Sequence, residues 1–173
     1  MSAASNTGKP GRHTIIAAVD NKPGVVSRIS GMFTRRGYNI ESFVTCTTRD
    51  PAVYNLIFSV IGTRDELDLL IHQLGRVMEV IAIWPADDIE CIVRALAFIK
   101  LCCPPEKRAE LIGLVDNVRR SGACEVTVAG VGEKNVIIQA SGDETALDAL
   151  PRIFSEYEIA DVIRSGAVAV TLE

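Results

Sequence analysis

The chain has 173 residues, 48% of them hydrophobic and 23% charged, with a formal net charge of -4 and a pI near 5.3. That length holds one medium domain or two small ones with ample core. The acidic balance excludes a general electrostatic affinity for nucleic acid or an anionic membrane, and no apolar run reaches the roughly 18 residues of a membrane span.

Residues 1–11 are small and polar and lack the apolar centre of a signal peptide, so this segment is expected to be disordered. The five cysteines, Cys46, Cys91, Cys102, Cys103 and Cys124, are odd in number and form no Cys-x-x-Cys. They read as free thiols in a reducing, cytoplasmic setting.

From His13 to Val19 apolar residues alternate, with Ile15, Ala17 and Val19 on one face of a strand. The run Asp20-Asn21-Lys22-Pro23-Gly24-Val25-Val26 then makes a tight turn into an amphipathic helix with Val25, Val26, Ile29, Met32 and Phe33 at helical spacing. Pro23 fixes its own φ, and Gly24 can take the positive φ of a type II turn. Gly37, after Arg35-Arg36, stops the helix. Strands are expected over Asn39–Thr48 and Val53–Ile61, joined by a turn at Arg49-Asp50-Pro51. Thr63-Arg64-Asp65-Glu66 is a capping box opening a second helix, with Leu67, Leu70, Ile71 and Leu74 inward. Val77–Trp84 closes the first half as a strand stopped by Pro85.

The same order then repeats. Ile89–Leu101 is a strand, Glu106–Arg120 a helix, Cys124–Ala129 and Asn135–Ala140 two strands. Ser141-Gly142-Asp143-Glu144 reads as another capping box, opening a helix that Pro151 should kink or shorten. Ile159–Leu172 is a final strand with a bulge or bend at Arg164-Ser165-Gly166. The fold class is α+β: two ferredoxin-like sandwiches, strand-helix-strand-strand-helix-strand repeated, divided near Pro85-Ala86-Asp87-Asp88 into domains 12–85 and 86–173.

The helix-opening turn is also a candidate ligand site. Helix N-termini expose unpaired N–H groups that receive a carboxylate, and the Asn21 amide both donates and accepts, which suits an amino acid. His13 and His72 stand apart from any catalytic constellation, and Gly130-Val131-Gly132 reads as a hairpin turn rather than a nucleotide loop. Aromatic residues are 5% of the chain, too few for the stacking platform of an RNA-binding sheet.

Asn21-Lys22-Pro23-Gly24, Ser27-Arg28, Phe33 and above all Arg36-Gly37-Tyr38-Asn39-Ile40-Glu41-Ser42 resemble the small regulatory subunit of acetohydroxyacid synthase (acetolactate synthase), whose amino-terminal part is an ACT domain. Asp50-Pro51 and Arg164-Ser165-Gly166 fit as well. The resemblance implies a non-catalytic subunit, with no cofactor of its own, that activates a catalytic large subunit. It also implies feedback inhibition by a branched-chain amino acid, mainly valine. Thiamine diphosphate, magnesium and FAD are expected on the catalytic partner.

Carried over residue by residue, the effector site comprises Asn21, Gly24, Val25, Val26, Asn39 and Ile40. The resemblance places each pocket between two ACT domains of a homodimer, joined by edge strands or helices. Where the family has Ala-Leu after the glycine, Val25-Val26 is expected to add bulk at the pocket rim. The second repeat has Ala123-Cys124 in place of Asn39-Ile40 and so lacks that pair. A free-standing ACT-type sensor acting on a different partner is the alternative.

Overall fold

Alternation sets the first element. In the computed structural model, which describes residues 9–172, strand β1 (Gly11–Asp20) turns Ile15, Ala17 and Val19 into the core. It pairs antiparallel with β3 (Val53–Gly62) along its whole length and with β4 (Val80–Pro85) on its other side. β2 (Ile40–Thr47) pairs with β3, giving the order β2-β3-β1-β4. Helices α1 (Val25–Arg36) and α2 (Arg64–Leu74) bury Ile29, Phe33, Leu67, Leu70 and Leu74 against one face. There the Phe58 ring meets Phe33 edge-on at 5.2 Å and stacks with Phe43 at 5.7 Å.

The local signals act as their chemistry dictates. Val25 N–H donates to the Lys22 carbonyl across Pro23-Gly24, and Gly24 sits at φ 87°, a type II turn. At the far end Gly37 is left-handed, and the N–H groups of Gly37 and Tyr38 return to the carbonyls of Thr34 and Phe33. The Thr63–Glu66 capping box is complete in both directions.

The second repeat runs β5 (Cys91–Cys102), α3 (Arg108–Ser121), β6 (Glu125–Val131), β7 (Asn135–Gly142), α4 (Glu144–Ile153) and β8 (Glu158–Arg164). Its order, β6-β7-β5-β8, sets each strand where its counterpart lies in the first sheet. A ninth strand, β9 (Val168–Thr171), pairs with β5.

Several expectations are revised. Of residues 1–11, expected to be disordered, 1–8 lie outside the described residues, while Gly11 already pairs with Gly62 in β1. The strand expected from Val77 starts at Val80, because turn bonds such as Val80 N–H to the Val77 carbonyl (3.0 Å) occupy the preceding residues. Ser141 and Gly142 belong to β7, and Asp143 caps α4 by accepting from Ala146 N–H at 2.7 Å. Pro151 falls in the last turn of α4 without ending it.

The larger revision concerns domain limits. The chain forms two compact units, one running to Ile92 and resuming at Gly166, the other Val93–Ser165. The division expected at 85/86 therefore differs at both ends. The segment from Gly166 is grouped with the first unit, where Leu172 N–H donates to the Glu90 carbonyl at 3.0 Å, while its strand β9 lies beside β5 in the sheet of the second repeat, as expected of a final strand. Alternation identifies a strand but not its distant partner.

Candidate effector site

The helix-opening turn is braced from the hairpin beside it. Asn21 N–H donates to the Ala52 carbonyl (2.7 Å) and Asn21 Nδ2 to the Pro51 carbonyl (2.8 Å). Asn21 is thus a structural tie of the turn as well as a candidate ligand contact. Gly24 is exposed.

Val25 departs from its expected place. Its side chain is 3% exposed within the core, and its N–H closes the turn, so it adds no bulk to a rim. Val26, 40% exposed, is the apolar surface the first turn offers. Among the described residues, the N–H groups of Val26 and Ser27 have no acceptor, since the helical ladder starts with Arg28 N–H on the Gly24 carbonyl (2.9 Å). Both nearby cations are already paired. Lys22 Nζ lies 2.5 Å from Asp20 Oδ2, whose hydrogen bond and charge raise the ammonium pKa, and Arg28 pairs with Glu79. An effector carboxylate is therefore left to the backbone donors, within a turn that can carry one charge on its helix dipole.

The other half of the expected site begins where α1 ends. Tyr38 is pinned by its OH to the Glu66 carbonyl (3.1 Å), which delivers Asn39 to the surface and Ile40 to the start of β2 opposite Val60. Asn39 is exposed, and its amide has no hydrogen-bond partner among the described residues. Ile40 is half-buried against the core.

These two halves do not meet within one chain. The 12 residues of α1 separate Gly24 from Gly37, about 18 Å at 1.5 Å per residue. Along β3, Asn21 bonds Ala52 whereas Ile40 lies opposite Val60, roughly 26 Å away at strand rise.

The second repeat keeps the bracing with a different turn, a single 3-10 turn over Pro105–Lys107. Cys103 N–H donates to the Lys134 carbonyl (2.9 Å), as Asn21 does to Ala52, and Arg108 Nη2 holds the hairpin through the Gly132 and Glu133 carbonyls, both 2.7 Å. Pro104-Pro105-Glu106 stands where the first repeat has Lys22-Pro23-Gly24, Cys103 is fully buried, and that burial raises its thiol pKa. Pro104 to Lys107 are exposed, and Lys107 N–H donates to the Pro104 carbonyl at 3.0 Å.

His13, isolated in the sequence, has Nδ1 3.3 Å from Asp87 Oδ2 and Nε2 3.2 Å from the Gly62 carbonyl. The pair ties β1 to the segment after β4, a contact 74 positions apart in the chain that no local pattern signals. Among the described residues, no group of three or more His, Cys, Asp and Glu side chains could hold a metal ion, and no helix is long and apolar enough to cross a membrane.

Comparison with known proteins bears on both repeats. Residues 15–82 match the family model of the AHAS small subunit-like ACT domain, and residues 94–173 match that of the small subunit of acetolactate synthase. The chain belongs to the acetolactate synthase small-subunit family. A probable acetolactate synthase small subunit from Archaeoglobus fulgidus is 33% identical over 92% of this chain and 96% of its own length. The acetolactate synthase small subunit of Bacillus subtilis is 29% identical over 91% of this chain and 89% of its own. In fold, the crystal structure of the Thermotoga maritima acetolactate synthase small subunit aligns with a TM-score of 0.74 at 24% identity, covering 93% of this chain and 97% of that one.

Proposed function

We propose that this small subunit activates the catalytic large subunit of acetolactate synthase and makes it sensitive to a branched-chain amino acid, valine first. The family supports a regulatory and non-catalytic role. On this reading thiamine diphosphate, magnesium and FAD belong to the catalytic partner, the chain works in the cytoplasm, and a homodimer binds the effector.

One observation carries the effector reading: the helix-opening turn and the Asn39–Ile40 segment lie at opposite ends of the first unit, and β2 is an open edge of its sheet. An edge strand presents unpaired N–H and C=O groups that pair readily with another chain. If β2 pairs antiparallel with the same strand of a second copy, the Ile40 end of one meets the Thr47 end of the other. Thr47 lies opposite Tyr54, next to the hairpin turn to which Asn21 is tied. Two-fold pairing therefore brings Asn39 and Ile40 of each copy to Gly24 and Val26 of the other, and closes two equivalent sites. Backbone N–H groups meet the effector carboxylate there, the Asn39 amide meets an end of the zwitterion, and Val26 with Ile40 bounds a short branched side chain.

The test is reconstitution. The chain alone should form no acetolactate from pyruvate. Added to the catalytic subunit it should raise the rate, and valine, leucine or isoleucine should lower the raised rate. A chain that binds valine yet leaves the catalytic subunit unchanged would instead be a free-standing sensor.

A further inference from the structure

The effector site leaves the helix layer of the second repeat unused, and there the two repeats differ by one side chain. Helices α1 and α3 both end on a left-handed glycine, Gly37 at φ 73° and Gly122 at φ 74°. These glycines set Tyr38 against Ala123 and Asn39 against Cys124, one residue off the match that the sequence alone suggests. In the first repeat the Tyr38 ring packs on the core, and its OH donates to the Glu66 carbonyl at 3.1 Å. Glu66 is the third residue of α2 after its cap Thr63, and Ala146 is the third of α4 after its cap Asp143. Ala123 therefore stands where the tyrosine stands, and Ala146 where its acceptor stands.

The place of the ring is hollow. A cavity of about 290 Å³ lies between α3 and α4; its walls include Val118, Ala123, Cys124, Ala146 and Leu150, and the exposed Ala149 and Ile153 form its rim. An apolar cavity of roughly 150 Å³ already admits benzene, so one phenol ring fits. Among the described residues none that lines the hollow is charged, so nothing there holds the carboxylate or phosphate of a free metabolite. The Ala146 carbonyl keeps a second lone pair beyond its helical bond, as the Glu66 carbonyl does. Outside the hollow the charge is positive. Arg120 and Arg152 stand three residues on from the lining residues Asn117 and Ala149, along the same helix faces. Both are exposed, and neither has an ion-pair partner among the described residues.

We propose that this hollow is a docking socket for a tyrosine side chain of the catalytic subunit, flanked there by carboxylates that meet Arg120 and Arg152. The proposal rests on the reading that this chain binds a catalytic subunit, and it is independent of the effector. Tyr38 shows what the fold holds at this position; in the second repeat the place is left to a ring from another chain. An aromatic anchor buried in a small pocket concentrates binding energy at a subunit contact. Its OH donates to the Ala146 carbonyl as that of Tyr38 does to Glu66, and the two arginines draw the acidic surroundings of the anchor to the rim.

Ala123→Tyr gives the second repeat the tyrosine of the first and fills the hollow from within. In the full chain, half-maximal activation of the catalytic subunit without valine should need at least about tenfold more of this variant than of wild type, while its thermal midpoint does not fall. Ala149→Glu changes only an exposed rim residue, so it keeps the test open if the added ring disturbs folding. Its carboxylate should raise the half-activating concentration at least about threefold. Half-activation unchanged in a folded Ala123→Tyr chain, or in Ala149→Glu, would overturn the proposal. A second arm needs no partner. Para-cresol, the tyrosine side chain alone, should shift the amide signals of Ala123, Cys124 and Ala146 in the NMR spectrum of the wild-type chain and leave them in place in Ala123→Tyr. No shift in the wild type would overturn the socket. A wild-type chain that does not bind the catalytic subunit would overturn the subunit reading and this occupant together, whereas wild-type activation with both variants unaffected would overturn this inference alone.

Discussion

Replacing Asn39 with alanine separates ligand contact from folding more cleanly than any other change in the site. Asn39 is exposed and its amide has no partner among the described residues, so its loss should change stability by no more than about 0.5 kcal/mol. A hydrogen bond to a charged end of the effector is worth roughly 1.5 to 3 kcal/mol, and each 1.4 kcal/mol is tenfold. Half-inhibition by valine should therefore move up by on the order of tenfold to a hundredfold, with activation at zero valine unchanged. Asn21→Ala should behave differently, because Asn21 Nδ2 also holds the Pro51 carbonyl at 2.8 Å. Losing that tie should cost about 1 kcal/mol, a fall of about 2–4 °C in melting temperature, besides weakening the effector. Asn39→Asp adds a sign: weaker binding means that the amide donates to the effector carboxylate, tighter binding that it accepts from the amine. The assay is a valine inhibition curve on the reconstituted synthase, with a thermal melt of each variant. If Asn39→Ala leaves the curve unmoved, the pocket lies elsewhere and the reasoning fails.

Three further outcomes test the fold. Thr63→Ala removes a complete capping box and should cost about 1 kcal/mol, read as a lower thermal midpoint. The Thr63 N–H holds the Glu66 carboxyl below its usual range, and Arg64 does the same for Asp88. Lowered carboxyl pKa values stabilise above the ordinary carboxylate range, so this contribution should be intact near neutrality and lost as pH falls through and below about 4; a flat stability profile from pH 6 to 3 would contradict it. Phe58→Ala, which empties a fully buried site between two aromatic rings, should cost roughly 3–5 kcal/mol in denaturant unfolding. Cys103 and Cys124 are buried, and burial raises both thiol pKa values, so in the native chain they should react with a thiol reagent at least about tenfold more slowly than in denaturant.

What the sequence reveals follows the reach of each interaction. Gly24, Gly37 and Thr63-Glu66 act on neighbours within a turn, and the structure uses all three as the pattern implies. The duplication is equally legible, because alternation and helical spacing recur in the same order and the two sheets share one strand order. Contacts across long separations leave no such trace. The return of Gly166 to β2, the His13–Asp87 contact and the rescue of the Leu147 carbonyl by Arg164 each join residues that local patterning treats separately. Truncation near Asp87, reasonable from the sequence, would strip the first unit of its returning segment. For the candidate site, the helix read between Gly24 and Gly37 already separates Asn21 from Asn39, and the structure gives that separation its length. Helical spacing groups Val25 with Ile29 and Phe33, and its side chain is buried with them; its place at a pocket rim came from the resemblance alone.

The central claim is that each effector site is shared between two copies, and mixed dimers test it most directly. A chain carrying Asn21→Ala and a chain carrying Asn39→Ala each break both sites of their own homodimer. Combined, they leave one site of every mixed dimer with its native Asn21 and its native Asn39, while the other site loses both. Calorimetry on the separately tagged and co-purified mixed dimer should then show one valine site per dimer at wild-type affinity, where neither parent homodimer shows any. A mixed dimer that binds no better than its parents would contradict a site built from two copies.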